Sequence, residues 1–489
     1  MEYITTTPER AGVASGNIEK WLRTLEDAGL SVHNVLISRG NRILFEKYIP
    51  PFDEGFLHRE YSQTKSVAAI AVGFAVQDRL VDLDDPIGKY FPEETKNIPD
   101  PEIAEQTIRQ MLMMSTPKHA KNWFAARTDD RVRFYFHETT TAAPPGSSFW
   151  YDSTGSFILA AMVEKVTGKE LIAYLKDKLF DKIGVSEGVK CLKCPGGHVW
   201  GDSALLATAR DMMKIMRFVM DDGKVGGEQI LDAGYLRAAR SCLISTASES
   251  YDYERNGYGY QIWKFYGDGY FFNGMGCQFT VAVPEKDMIL VFNGDNQGVN
   301  GAGAIILDSF NELIAKTAGG ELPENDAEKA SLDRYADNMT LFAARGEKYS
   351  TVGKVIDGRT FLMNENPMGW KRFRVDLRKN DGQIVYENAQ GEKALEFGIC
   401  ENSFVLFPQE GYSREVGSVP AHGNFYKCAA SAAWTDERTL SLVVQIIDEY
   451  FGRLWIDLIF DGDNVAVKMR KSAEDFLDEY SGEGTGRMA

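Results

Sequence analysis

The stretch Tyr61-Ser62-Gln63-Thr64-Lys65-Ser66 decides the fold, because it runs directly into a long apolar segment over residues 67–76. That segment is rich in alanine and contains a single glycine. Its length and composition therefore predict a helix that is buried on nearly all sides. A spacing of three on a helical turn places Ser62 and Lys65 on one face, with the amine within reach of the hydroxyl.

The Ser-x-x-Lys pattern indicates nucleophilic chemistry when its serine lies at the N-terminus of a helix. Backbone N–H groups and the helix dipole there favour a negative charge that develops near the Ser62 oxygen. Burial at the same positive end favours the neutral form of Lys65, which is then available as a base. The alternative is an ordinary N-cap serine followed by a solvated lysine, because the pattern also occurs by chance.

Patterns on either side of this segment predict a mixed α+β domain. A β-hairpin is predicted around Gly40-Asn41, and three strands and a closing helix are predicted late in the same domain. The predicted strands cover residues 34–38, 43–48, 259–265, 279–283 and 288–292, and the predicted helices cover 104–114, 155–166, 169–179, 207–221 and 304–317. This order predicts one antiparallel sheet, with the first hairpin beside the late strands and helices on both faces.

A change of pattern after residue 317 predicts a second domain. Glycine, proline and acidic residues cluster over residues 319–326, which is typical of a linker. We therefore predict a first domain over residues 1–320, a linker over 321–332, and a β-rich accessory domain over 333–489 with a frayed tail from residue 481. Strand patterns over residues 404–407, 439–447, 454–460 and 465–469 support the β-rich assignment.

The charge balance limits the range of partners. The 489 residues include 54 basic and 71 acidic side chains, which gives a net charge of 54 − 71 = −17. Because a chain with this much negative charge repels polyanions, we expect neither nucleic acid nor a membrane as a partner. No run of about 18 apolar residues occurs, so no membrane span is predicted.

The termini and cysteines carry the remaining compositional predictions. Residues 1–10 contain no basic stretch followed by an apolar run, so we expect no secretory leader and a cytoplasmic location.

Six scattered cysteines do not make a disulfide scaffold. Only Cys191 and Cys194, with His198 four residues further on, have a spacing typical of metal ligands. A fourth ligand is lacking, so we predict no metal and no other cofactor.

Further blocks of sequence, in the same order and with similar spacing, resemble the serine β-lactamase/penicillin-binding-protein superfamily. The resemblance is strongest to its class C β-lactamase-related esterases and 6-aminohexanoate-dimer hydrolases. The blocks lie at residues 61–66, 80–87, 90–92, 107–116, 145–153, 166–168, 208–213 and 279–292. The resemblance covers residues 5–317 and implies a β-lactamase/transpeptidase-like fold, in which an antiparallel sheet is flanked by helices and joined by a helical subdomain.

The resemblance also implies roles for individual residues. Ser62 matches the acylated nucleophile, and Lys65 matches the lysine that accepts its proton. Tyr151 falls on the tyrosine of the second motif, whose phenol relays a proton between nucleophile, lysine and leaving group. Ser153 stands where the family more usually has asparagine; its hydroxyl can still bond to Lys65 or to a substrate carbonyl, but it lacks the paired donor and acceptor of an amide.

The third motif departs from the family pattern. The family has Lys-Thr-Gly or His-x-Gly, whereas this chain has Phe272-Asn273-Gly274, or Met275-Gly276-Cys277 in a second register. Neither register contains the cation that helps to hold the carboxylate of a β-lactam, which counts against penicillins as natural substrates. Asn273, Gly274 and Met275 are predicted to contact the substrate. The oxyanion hole is predicted to use the N–H of Ser62 and one near Met275.

These observations predict a serine hydrolase that forms a covalent acyl-enzyme with a small ester or amide. There are three alternatives. They are an acyltransferase with the same intermediate, a β-lactamase or D-amino-acid peptidase, and a non-catalytic binding or sensor protein of the same fold. Gly201-Asp202-Ser203-Ala204-Leu205 is similar to a lipase nucleophile signature but lies mid-chain and has an extra residue, so we interpret it as a loop that lines the same pocket. A homodimer is left open, as is the role of the accessory domain.

Overall fold

The computed structural model describes residues 3–121, 123–124, 126, 128–412, 420–472 and 480–489. The chain folds into two compact units, the first extending to Thr340 and the second beginning at Leu341. No helix within the described residues is long and apolar enough to cross a lipid bilayer.

A mixed sheet forms the centre of the first unit. Among the described residues it has seven strands, in the spatial order Ile4–Thr5, Arg42–Tyr48, Asn34–Arg39, Met288–Asn293, Gln278–Val283, Tyr270–Gly274 and Trp263–Lys264. The first hairpin pairs antiparallel with the late strand Met288–Asn293, which confirms the predicted arrangement. Only the short strand Ile4–Thr5 pairs in parallel within this described sheet.

Helices pack around the sheet, and the most buried of them is Gln63–Gln77, here called the central helix. Every residue from Gln63 to Ala75 is buried, as its composition predicts. At Gly73 a Cβ atom would lie only 2.5 Å from the Tyr235 ring, so glycine is needed for this close packing. The other longer helices of the unit are Ser15–Asp27, Arg131–Glu138, Ser153–Thr167, Ala209–Met220, Ala302–Ala315 and Asp326–Asp337.

Shorter elements connect these helices and complete the helical region. The short α-helices are Glu102–Glu105, Ile108–Leu112, Leu171–Leu175, Asp181–Ile183 and Ala233–Ala239. The short strands outside the main sheet are His58–Arg59, Lys118–Ala120, Thr139–Thr141, Lys190–Cys191, Leu205–Ala207, Lys224–Val225 and Glu228–Gln229. His58–Arg59 pairs with Leu205–Ala207, which brings the segment before the central helix beside a strand that lies far away in sequence.

The second unit is built from one long-stranded sheet. Its described strands lie in the order Gly391–Ile399, Asp381–Asn388, Arg372–Leu377, Thr360–Met363, Gly482–Met488, Asn464–Ser472, Phe451–Asp461, Thr439–Ile447, Pro420–Trp434 and Ser403–Tyr412. Gly398 and Ile399 also pair with Ser431 and Ala432, so the sheet closes on itself around a core of alternating buried side chains. A short helix, Thr351–Ile356, precedes these strands.

Two predictions at the edges of elements differ from the structure, and one strand of the main sheet was not predicted. The predicted linker over residues 321–332 overlaps the helix Asp326–Asp337, which packs on Ser15–Asp27 within the first unit. The predicted frayed tail contains the strand Gly482–Met488, which pairs between two neighbours of the closed sheet. The strand Tyr270–Gly274 was absent from the predicted set. In each case the deciding contacts are tertiary, since none of these segments has a strong local periodicity.

Candidate active site

A sharp turn delivers Ser62 to the start of the central helix. Tyr61 has a φ of 46°, in the left-handed region that non-glycine residues rarely adopt. Its buried ring lies under the guanidinium of Arg59, at 4.8 Å from the ring centroid. Such local strain persists when the surroundings hold it in place, and it is common at functional sites. Ser62 follows as the N-cap residue and is half-buried, so its hydroxyl remains accessible.

Lys65 lies one turn further along, with its amine directed at Ser62. Its side chain is only 1% exposed, and Nζ is 2.8 Å from the Ser62 Oγ. Nζ also donates to the backbone carbonyl of Asp202 at 2.7 Å. The amine is therefore fixed between a hydroxyl and a carbonyl, which is the arrangement that a base acting on Ser62 requires.

Asp202, predicted from the sequence only to lie in a loop lining the pocket, is next to the Lys65 amine. Its Oδ2 lies 3.9 Å from the Lys65 Nζ, and its side chain is fully buried. Burial raises the pKa of Asp202 to about 6, although the neighbouring Lys65 ammonium lowers it. The Ser153 hydroxyl faces this carboxyl and also lowers its pKa, but the contact lacks the geometry of a hydrogen bond.

Tyr151 approaches the same amine through its ring. The Lys65 Nζ lies 5.2 Å from the ring centroid, within the range of a cation–π contact. The Tyr151 ring also stacks on Trp263, with centroids 5.7 Å apart, and is 37% exposed. The structure thus brings the Ser62 hydroxyl and the Tyr151 ring to the same Lys65 amine, from two stretches of sequence separated by more than 80 residues.

A buried ion pair supports the second motif from behind. Asp152 accepts from the backbone N–H groups of Thr154 and Gly155 and so caps the helix Ser153–Thr167. Its Oδ2 lies 2.9 Å from the Nζ of Lys118, and both side chains are almost fully buried. Burial alone raises the pKa of Asp152, but the Lys118 ammonium and these hydrogen bonds outweigh it and hold the pKa below its usual value. Lys118 also donates to Tyr135 and Gln106.

We expect the substitution Lys118→Met to destabilise the first unit by about 3–5 kcal/mol, because it leaves the Asp152 carboxylate buried without its countercharge. Urea unfolding of the purified protein measures this loss. Lys121→Met is the matched control: Lys121 is exposed, so the free energy of unfolding should change by less than about 0.5 kcal/mol. Equal stability of the two variants would contradict a role for the pair in holding the second motif.

The predicted third motif lies on a strand next to the nucleophile. Phe272, Asn273 and Gly274 belong to Tyr270–Gly274, whereas residues 275–277 form the following turn. A Cβ atom at Gly274 would lie 2.3 Å from the carbonyl oxygen of Glu60, so only glycine allows the strand to approach this closely. Met275 is 41% exposed, and its carbonyl accepts from the Gln278 amide at 2.8 Å, which fixes the turn.

The ionisable group beside this motif is an acid rather than a base. The Asn273 amide donates to the carboxyl of Glu254 at 3.2 Å. Burial, together with the nearby Glu249, raises the pKa of Glu254 to about 7. Glu254 could not be predicted from the sequence, because nothing in its local pattern links it to a strand almost 20 residues further on.

Gln261 ties together the helices that carry the two motifs. Its amide nitrogen donates to the carbonyls of Met111 and Leu112, both at 3.1 Å, and its amide oxygen accepts from Ser156 at 2.8 Å. Ser66 of the central helix hydrogen-bonds to the Gln261 backbone carbonyl. One buried glutamine therefore holds the central helix and Ser153–Thr167 in a fixed relation, which in turn fixes Lys65 relative to Tyr151.

The cysteine pair considered as metal ligands is not arranged as a metal site. The His198 side chain contacts the Glu164 carboxylate, with Nδ1 and Oε2 2.9 Å apart. The thiol of Cys191 faces the carbonyl of Trp200, and burial raises its pKa above the usual range. In the parts of the chain described, no group of three or more histidine, cysteine or acidic side chains is arranged to hold a metal ion.

Comparison with known proteins gives the family. A model of the Beta-lactamase family matches residues 18–302. The 6-aminohexanoate-dimer hydrolase of Paenarthrobacter ureafaciens is 24% identical over 217 residues, which are 42% of this chain and 55% of that protein. The chain thus spans about half the length of the curated relative.

Solved structures show the same fold. A Bacillus anthracis protein provisionally named a 6-aminohexanoate-dimer hydrolase superimposes with a TM-score of 0.54 at 16% identity, over 66% of this chain and 89% of that one. EstCE1, described as a hydrolase with promiscuous acyltransferase activity, has a TM-score of 0.50 at 14% identity, over 60% and 97% of the two chains. Because the family model matches more than half of the 489 residues, the chain belongs to the Beta-lactamase family.

Proposed function

We propose that the first unit is a serine hydrolase that forms a covalent acyl-enzyme with a small ester or amide. The observation that supports this most is the 2.8 Å contact between the Lys65 amine and the Ser62 hydroxyl at the start of a buried helix. The alternative interpretation of the motif is a solvated lysine beside an N-cap serine. It does not fit Lys65, whose side chain is only 1% exposed.

The proposed reaction has two stages. In the first, Lys65 removes the Ser62 proton while Oγ attacks the substrate carbonyl carbon, and the oxyanion accepts from the N–H groups of Ser62 and Met275. Collapse of this intermediate breaks the bond to the leaving group, which takes a proton with the help of Lys65 and Tyr151. In the second stage, water attacks the acyl group and the acid product leaves Ser62 free.

The groups around the cleft support an uncharged or cationic acyl group rather than an anionic one. Phe272 stands at the cation position of the third motif, and the next residue, Asn273, donates to the Glu254 carboxyl, which a carboxylate ligand bound beside Asn273 would face. Trp150 and Met275 are both exposed, which supports a partly apolar substrate. A β-lactamase or D-amino-acid peptidase activity is therefore a weaker proposal, and a purely binding role is weaker still, since both Ser62 and Lys65 are present and in contact.

Transfer of the acyl group to an alcohol or amine in place of water is a variant of the same proposal. It needs no further catalytic group, because the acyl-enzyme is common to both reactions. A cytoplasmic location and a small-molecule substrate remain part of the proposal, as the sequence predicts.

Intact-mass spectrometry tests the proposal directly. The protein is incubated with p-nitrophenyl butyrate, a small anilide and benzylpenicillin, and its mass is read during turnover. We expect the ester to add the mass of its acyl group, a tryptic map to place that mass on the peptide containing Ser62, and benzylpenicillin to add nothing. Turnover of the ester without any adduct, or an adduct on another residue, would count against the assignment.

A further inference from the structure

Asp202 is a buried acidic residue whose charge has no evident role in folding. Its side chain is fully buried, and neither carboxylate oxygen has a hydrogen bond of good geometry among the described residues. Two other buried aspartates of the first unit differ in this respect. Asp152 and Asp211 each cap a helix by accepting from backbone N–H groups. Asp202 caps nothing, so its burial needs a different explanation.

Charged and titratable groups face Asp202 from several elements. They are Lys65 on the central helix, Arg59 on the strand His58–Arg59, Arg131 on Arg131–Glu138, and the Cys191 thiol on Lys190–Cys191. Lys65 is the cation that acts on it most strongly, and its Nζ lies 3.9 Å from Oδ2. Arg59 is already directed to the carbonyl of Ser203 at 3.0 Å.

The charge on Lys65 changes during the proposed reaction, whereas the charges on Arg59 and Arg131 do not. Lys65 is neutral when it takes the Ser62 proton and is an ammonium ion immediately afterwards. A new positive charge in a buried site is costly unless a countercharge is already in place. The Asp202 carbonyl supplies only a dipole at 2.7 Å. Its carboxylate supplies a full opposite charge nearby.

We propose that Asp202 is a positioning residue whose carboxylate stabilises the ammonium form of Lys65 that arises when Ser62 is acylated. This inference rests on the proposed function, since it needs Lys65 to act as the base. It assigns Asp202 a role like that of an aspartate that stabilises a catalytic imidazolium without taking the proton itself.

The inference predicts a specific change in the pH profile of ester hydrolysis. The carboxylate stabilises the protonated amine, so removing it should let Lys65 stay neutral, and active, at lower pH. In Asp202→Asn and Asp202→Ala we expect the acid limb of kcat/KM for p-nitrophenyl butyrate to move down by about 1–3 pH units. The plateau should also fall about 10²-fold, because the charge formed in the transition state loses its partner.

Asp211→Asn is the matched control, because it also removes a buried carboxylate, whose hydrogen-bond partners are Ser186 and Thr208 rather than Lys65. Its acid limb should coincide with that of the wild type. The inference is overturned if folded Asp202 variants keep the wild-type limb, since a loss of plateau alone indicates a structural role. It is also overturned if both Asp202 variants fail to fold, because the carboxylate then serves the fold.

The experiment distinguishes a failure of this inference about Asp202 from a failure of the proposed function. Wild-type protein is first shown by intact-mass spectrometry to be acylated on Ser62. Absence of that adduct would remove the proposed function itself. An adduct on Ser62 together with an unmoved acid limb in the folded Asp202 variants would remove only the role of Asp202.

Discussion

Replacing Ser62 by alanine should abolish the hydrolysis of short-chain p-nitrophenyl esters, with kcat falling by at least about 10⁴-fold. The substitution removes the oxygen that would carry the proposed acyl group, and no second hydroxyl is seen to contact Lys65 in the described residues. The fold should survive, because Ser62 is half-buried and its side chain does not cap the central helix. The one hydrogen bond lost, to Lys65, is worth about 0.5–1.5 kcal/mol net.

Steady-state kinetics and thermal unfolding together check this result. The melting temperature should stay within about 2–4 °C of the wild type. Ser309→Ala is the control, because Ser309 lies on Ala302–Ala315 and bonds only to backbone carbonyls of its own helix. It should retain full activity. Undiminished turnover in the Ser62→Ala protein would show that another group is the nucleophile.

The central part of the fold could be predicted because its signals are local. The central helix is buried from Gln63 to Ala75, and its alanine-rich sequence already excludes a solvated face over that stretch. The hairpin of Asn34–Arg39 and Arg42–Tyr48 follows from two apolar runs around a Gly-Asn turn. The contact between Ser62 and Lys65 follows from a spacing of three on one helical turn.

The remainder of the site depends on contacts that sequence spacing does not encode. Asp202 is 137 residues from Lys65, and the pair is formed only because His58–Arg59 pairs with Leu205–Ala207. Lys118 lies 34 positions before Asp152 and was given no role from the sequence. The signal that was available is the acidic residue in the middle of the second motif. A carboxylate that is buried in this motif requires a cation nearby.

Edges of elements were predicted less well, for a related reason. Asp326–Asp337 is rich in charged residues and has few apolar positions, so its sequence is also typical of a linker. It is helical because Leu332 and Ala336 are buried in the first unit, beside Ser15–Asp27. Gly482–Met488 contains three glycines and is a strand only because strands of the closed sheet flank it on both sides.

Replacing Lys65 should have the second-largest effect on catalysis. We expect Lys65→Ala to slow acylation by about 10²–10⁴-fold, the usual contribution of a positioned general base. The loss should appear in the acylation step rather than in substrate binding, because the amine contacts Ser62 and Asp202 and not the rim of the cleft. Some loss of stability is also expected, since the Asp202 carboxyl stays buried without its closest cation.

A second variant, Lys65→Arg, separates a base from a fixed positive charge. Arginine keeps the countercharge for Asp202 but does not give up its proton, so it should preserve stability better than alanine and still acylate slowly. Stopped-flow release of p-nitrophenol measures the acylation rate, and Lys20→Ala, at an exposed position, is the control. If the arginine variant acylated at the wild-type rate, Lys65 would be acting through its charge alone, and the base would have to be sought in a neighbouring group, Asp202 or Tyr151.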